Sequence, residues 1–169
     1  MTAGLHDVTG NAFVPYVTHF RTGESSSVTD TSLQFDKVSL TTTNGSSYTS
    51  VTIGPDHKLY ATTIDGHIIR WNLNADGTLG TSQIIDTIIN KEGGARAIIG
   101  LTFDPSSTAS NLIAYVSSNA PSLENAPDWS GKITKLTGAN LSTATDLVTG
   151  LPRSIRDHMT NQMVFGPDG

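Results

Sequence analysis

The chain contains no cysteine. That excludes a disulfide framework, a thiolate-ligated zinc site and a thiol nucleophile. It leaves the compartment open, because many exported proteins carry no disulfide. Charge is also scarce. Only 15% of residues are charged, and Lys plus Arg number 10 against 15 Asp plus Glu, for a net charge of -5. A nucleic-acid footprint needs clustered cations and a high isoelectric point, so that class of partner is excluded. No apolar run approaches the ~20 residues of a membrane-spanning helix. Met1-Thr2-Ala3-Gly4 has neither the basic nor the apolar stretch of a signal peptide. There is no nucleophile elbow, P-loop or dinucleotide fingerprint, and His6, His19, His57 and His67 share no metal-ligand spacing. At 169 residues the length suits one domain or a piece of a larger one.

What the chain does have is Val, Ile, Thr, Ser and Gly. Branched Cβ atoms fit a pleated surface, so strands are expected rather than helices. Phe35–Thr43 reads as a strand, followed by the turn Asn44-Gly45. A regular pattern then begins. Tyr48–Ile53, Lys58–Thr63, His67–Leu73 and Ser82–Ile89 read as four strands, separated by Gly54-Pro55-Asp56-His57, Ile64-Asp65-Gly66 and Asn74-Ala75-Asp76-Gly77. The cycle repeats with Ile98–Phe103, Leu112–Ser117, Lys132–Leu136 and Asp146–Thr149, and a third copy opens at Asn161–Phe165.

Pro55, Pro105 and Pro167 mark the same turn, about fifty and about sixty residues apart. Four short strands per unit at that spacing are the pattern of a β-propeller blade. The competing reading is a sandwich of short strands. The fold expected is all-β, a partial β-propeller with two full blades and the start of a third. Since a propeller closes with at least four blades, the chain reads as a fragment of a longer protein. Residues 1–45 read as an N-terminal segment, able to supply an outer strand of the closing blade, and residues 46–169 as the incomplete propeller. Asp56, Asp104 and Asp168 read as turn-stabilising side chains, Trp71 as packing, and Trp129 as a residue of a long loop overhanging the channel.

The run Gly150-Leu151-Pro152-Arg153-Ser154, with Asp157-His158 and then Asn161–Phe165 into Gly166-Pro167-Asp168, resembles the soluble quinoprotein sugar dehydrogenases of the glucose/sorbosone dehydrogenase family. Arg96–Pro105 is similar to that family's Gly-Leu strand, and Pro55–Tyr60 to the blade before it. The resemblance spans roughly residues 47–169 and implies a six-bladed propeller. It implies an oxidoreductase in which a sugar C–H gives hydride to pyrroloquinoline quinone (PQQ), held partly by calcium, while a His takes the hydroxyl proton. His158 aligns with that catalytic base and Asp157 with a carboxylate beside the sugar. Arg96 is expected to contact substrate and Arg153 the anionic quinone. No metal ligand is expected within this chain, since the calcium ligands belong to later blades. The resemblance also implies an extracellular or periplasmic protein. The chain departs from the family where a Gln faces the sugar: here Ala95 precedes Arg96. The alternative is a non-enzymatic propeller that binds carbohydrate or protein. Oligomeric state, substrate identity and electron acceptor are not legible in the sequence.

On its own terms the chemistry is sound. An unperturbed imidazole titrates near pH 6.5, which suits a base at neutrality. Base catalysis is worth about 10²–10⁴-fold.

Overall fold

The computed structural model describes residues 37, 39–122, 124–154 and 158–167. The chain divides into two compact units, Met1–Val38 and Ser39–Gly169, and every element described belongs to the second.

That unit is built from two four-stranded antiparallel sheets. The first comprises β1 (Tyr48–Ile53), β2 (Lys58–Thr63), β3 (Ile68–Leu73) and β4 (Leu79–Ile85), in that spatial order. The second comprises β5 (Ala97–Phe103), β6 (Ile113–Asn119), β7 (Gly131–Thr137) and β8 (Thr143–Leu151), again in order. One helix, α1 (Thr87–Glu92), joins the sheets.

Turn chemistry fixes each register. In the β1–β2 turn, Gly54 N–H donates to the Lys58 carbonyl at 2.9 Å and the Asp56 carboxylate accepts the Lys58 N–H at 3.4 Å. After β5, the Asp104 carboxylate accepts the Ser106 N–H at 2.9 Å. Both aspartates therefore mimic a backbone turn, as short side chains with an acceptor can. Asp168 lies outside the described residues.

Strand alternation then sorts the side chains. Tyr60, Ile68 and Ile85 from the first sheet, with Ile88 of α1, meet Leu101, Ala114, Val116 and Leu136 of the second in one buried core. Burial of such side chains contributes about 25 cal/mol per Å² of apolar surface. A smaller cluster, Ala61, Ile69, Trp71 and Leu79, lies on the other face of the first sheet, with Leu40 against it. Trp71 is thus a packing residue, its ring meeting Tyr48 edge-on at 6.0 Å.

One contact recurs from unit to unit. The Tyr60 hydroxyl donates to Asp56 at 3.0 Å, and its ring meets Phe103 of the next sheet edge-on at 5.0 Å. The Tyr115 hydroxyl donates to Asp104 at 2.9 Å, and its ring meets Phe165 edge-on at 5.6 Å. A second-strand tyrosine is held by the preceding turn and receives the aromatic ring of the following segment.

Three expectations are corrected. Ser82–Ile89 is not one strand: β4 ends at Ile85 and the chain turns into α1. Asp86 stands at the N-cap, Ile88 plugs the core, and Gly93 ends the helix at φ 71. A Gly there adopts the left-handed conformation at little cost. Thr41–Thr43 forms a single 3-10 turn, its hydroxyl at Thr43 bonding the Leu40 carbonyl at 2.7 Å; Phe35, Asp36 and Val38 lie outside the described residues. Asn161–Phe165 forms no strand ladder. Side chains hold it in place instead.

Candidate functional site

Strand direction decides which loops meet. The 64–67 turn, the α1–β5 connection and the described residues of the 120–130 and 152–159 connections lie at the end of the sheets where β5 begins. Arg96, Arg153 and His158 belong to these connections.

Arg96 follows Gly93-Gly94-Ala95 and enters β5 buried, 9% exposed. Its Nε donates to Ser118 Oγ at 3.3 Å, and Nη2 donates to the carbonyls of Ser118 at 3.1 Å and Ser130 at 2.7 Å. Glu92 lies 4.0 Å from Nη1. Burial pulls this guanidinium below its ordinary pKa, and the charge of Arg153 acts in the same direction, against the attraction of Glu92 and Asp146. The 64–67 turn closes over it. Gly66 sits at φ +107, and a Cβ there would stand 2.9 Å from the Arg96 carbonyl oxygen. His67, the next residue, holds the Asp86 carboxylate at 2.7 Å, which joins this turn to the start of α1.

Arg153 is 4% exposed. Its N–H donates to the Asp128 carbonyl at 2.6 Å, and its guanidinium donates to the carbonyls of Ala120 and Ser122. The two arginines therefore grip both stems of one loop, 120–130. His158 is exposed, and its carbonyl accepts the Ser154 N–H at 3.0 Å. Asp157 lies outside the described residues.

Two residues position the His158 segment. Asn119, fully buried at the end of β6, accepts the Thr160 N–H at 3.2 Å and donates to the Thr160 carbonyl at 3.3 Å. This copies a strand-pair hydrogen-bond exchange with a side-chain amide. Gln162 repeats the device two residues on. It accepts from Leu101 N–H at 3.3 Å and donates to the Leu101 carbonyl at 3.0 Å. Gly100 allows the approach, since a Cβ there would stand 2.8 Å from Gln162 Cα. Gln162 is thereby turned onto β5. Asn119 was missed, because a single buried amide at a strand end leaves no periodic signal.

A charged cluster braces the same end. Lys132 reaches both Glu92 carboxylate oxygens at 2.8 Å, and Lys91 holds Asp146 at 2.6 Å. Burial alone would raise the pKa of Glu92, but hydrogen bonds from Lys132 and Lys91 outweigh it and hold the carboxyl below its ordinary range. Asp146 is likewise raised by burial and, on balance, lowered by Lys91 and Thr134.

The fit to a bound quinone can be tested on these contacts. A quinone carboxylate needs a cation with free donors. Arg153 is buried and turns an Nη donor to each of the Ala120 and Ser122 carbonyls, so its charge faces the loop stem. Among the described residues, no three His, Asp or Glu side chains are grouped to hold a metal ion. No helix among them is long and apolar enough to cross a membrane. No known family model matches the chain, and no curated protein matches it significantly.

Proposed function

We propose that this chain forms consecutive blades of a β-propeller whose loop end oxidises a sugar hydroxyl, with His158 as the base. The observation that carries the fold reading is the seriation of the three first segments. Thr49 of β1 donates to the Ile98 carbonyl of β5 at 2.5 Å, and Gln162 bonds Leu101 of β5 and accepts from Ser50 of β1 at 3.2 Å. Each unit's opening segment thus lies beside the next, as the inner strands of propeller blades do around their axis. Ring closure takes at least four blades, so further sheets complete the axis in this reading, six in all by the family resemblance.

The sugar chemistry rests on the residues that resemble the quinoprotein dehydrogenases. PQQ, when bound, would accept the hydride from the sugar carbon. Its carboxylates and a calcium ion would be held by residues other than Arg153. This chain's part is the proton: His158 Nε2 or Nδ1 takes it from the hydroxyl as the C–H bond breaks. The Asn119 and Gln162 clamps fix the backbone that follows the histidine, which limits the positional freedom of a base on a loop. Asp157 is assigned to orienting the sugar, and an exported location fits the substrate class.

A second reading is favoured by the arginines. Arg96 and Arg153 both serve the 120–130 loop rather than presenting cations to solvent, which suits a propeller that binds carbohydrate without a quinone. Dye-linked sugar oxidation by the full-length protein, supplied with PQQ and calcium, separates the two. The enzyme reading expects oxidation that falls about 10²–10⁴-fold in His158→Gln. Sugar binding without oxidation would select the binding propeller.

A further inference from the structure

Trp129 is the largest of the exposed apolar side chains among the described residues. It is 68% exposed, on a loop that the fold holds at several points. Arg96 bonds one stem at Ser130, and Arg153 bonds the other at Ala120 and Ser122. Ala120 N–H donates to Ser130 Oγ at 3.3 Å, joining the stems directly. Ala126 is buried at mid-loop. Pro121 and Pro127 further restrict the backbone. Two buried guanidinium groups thus stabilise a loop whose largest side chain is left in water.

The loop is also placed. Asp128, the residue before Trp129, accepts the Arg153 N–H at 2.6 Å, and Ser154, the residue after Arg153, bonds the His158 carbonyl at 3.0 Å. The indole and the imidazole therefore belong to two loops tied together at their bases. Glu124, Asn125 and Asp128 are exposed on the same loop.

The geometry points to Trp129 as a stacking platform for a neutral sugar ring at the His158 end. This deepens the proposed function and rests on its choice of substrate class. An indole face carries negative quadrupole density, which attracts the polarised C–H groups on one face of a pyranose. A rigid aromatic side chain supplies contact area with little loss of conformational freedom on binding. The Glu124 and Asp128 carboxylates and the Asn125 amide offer partners for ring hydroxyls, and the two carboxylates disfavour anionic ligands.

The test uses methyl β-glucopyranoside, which lacks the free anomeric hydroxyl and so cannot be oxidised there. Saturation-transfer NMR on the intact chain is expected to show strongest transfer to H1, H3 and H5, which share one ring face. Trp129→Ala should abolish the transfer, and Trp129→Phe should retain a weaker one. Acrylamide quenching gives a second readout, because Trp71 is 1% exposed and Trp129 dominates the accessible emission; the sugar should reduce quenching. Transfer that survives Trp129→Ala in a folded variant overturns the assignment. So does protection by choline without protection by the sugar, which would mark a cation site instead. No quinone enters these measurements, so failure of the oxidation reading leaves their result standing, and the reverse also holds.

Discussion

The side-chain amide of Gln162 takes both backbone groups of Leu101, accepting from its N–H at 3.3 Å and donating to its carbonyl at 3.0 Å. Residues 61 positions apart are thereby paired as neighbouring strands would be, without a second strand. The segment carrying His158 is held to the sheet stack by this clamp and by the Asn119 clamp on Thr160.

Gly100→Ala tests that clamp. The added Cβ meets Gln162 Cα at 2.8 Å and Ser117 Oγ at 2.9 Å, with backbone on one side. Overpacking of this kind costs about 1–3 kcal/mol. Urea unfolding should show the loss, and amide exchange should rise at residues 160–163 more than in β3 or β4.

Arg96→Ala removes three hydrogen bonds from a buried position and leaves the Ser118 and Ser130 carbonyls without that donor. Losing charged hydrogen bonds to buried partners costs about 1.5–3 kcal/mol each in favourable cases, with sums less than additive. A destabilisation of at least about 2 kcal/mol is expected from denaturant titration. Arg96→Lys should recover only part of it, because an ammonium lacks the planar fork that reaches two carbonyls.

The Glu92–Lys132–Lys91–Asp146 cluster sets an acid limit. Both carboxyls are held below their ordinary values in the folded chain. The folded state therefore binds protons less readily than the unfolded one. Stability from this cluster is fully present above the ordinary carboxylate range near pH 4 and is lost as pH falls through the lowered folded values. Lys132→Met should flatten the acid side of a stability–pH curve, while the wild-type curve should steepen below about pH 4.

Tyr60 gives the alkaline counterpart. Burial pushes its hydroxyl up to about 12, with Arg70 opposing and Asp56 reinforcing the shift. A raised folded value means stability is present below the ordinary tyrosine pKa near 10 and falls as pH rises toward 12. Tyr115 is also raised, by its hydrogen bond to Asp104, so ultraviolet titration should show Tyr60 ionising last and together with unfolding. Tyr60→Phe should remove that last step and leave the Tyr115 step.

The sequence carried the strands whose ends are chemically marked. β1 and β2 match the expected Tyr48–Ile53 and Lys58–Thr63, because Gly54-Pro55-Asp56-His57 leaves one turn geometry. α1 was illegible, since Ile88 and Ile89 fit an alternating strand as well as a short helix and the buried partner of Ile88 is far away in sequence. Of the site, the clustering of loops at one end followed from strand direction alone. The occupation of Arg96 and Arg153 did not, because carbonyl acceptors carry no sequence signature.

The most direct measurement is calorimetric titration of PQQ, with calcium, into the full-length protein and its His158→Gln variant. The account predicts calcium-dependent binding by both, since the imidazole acts on the sugar rather than on the quinone. A folded full-length protein that binds no PQQ would contradict it.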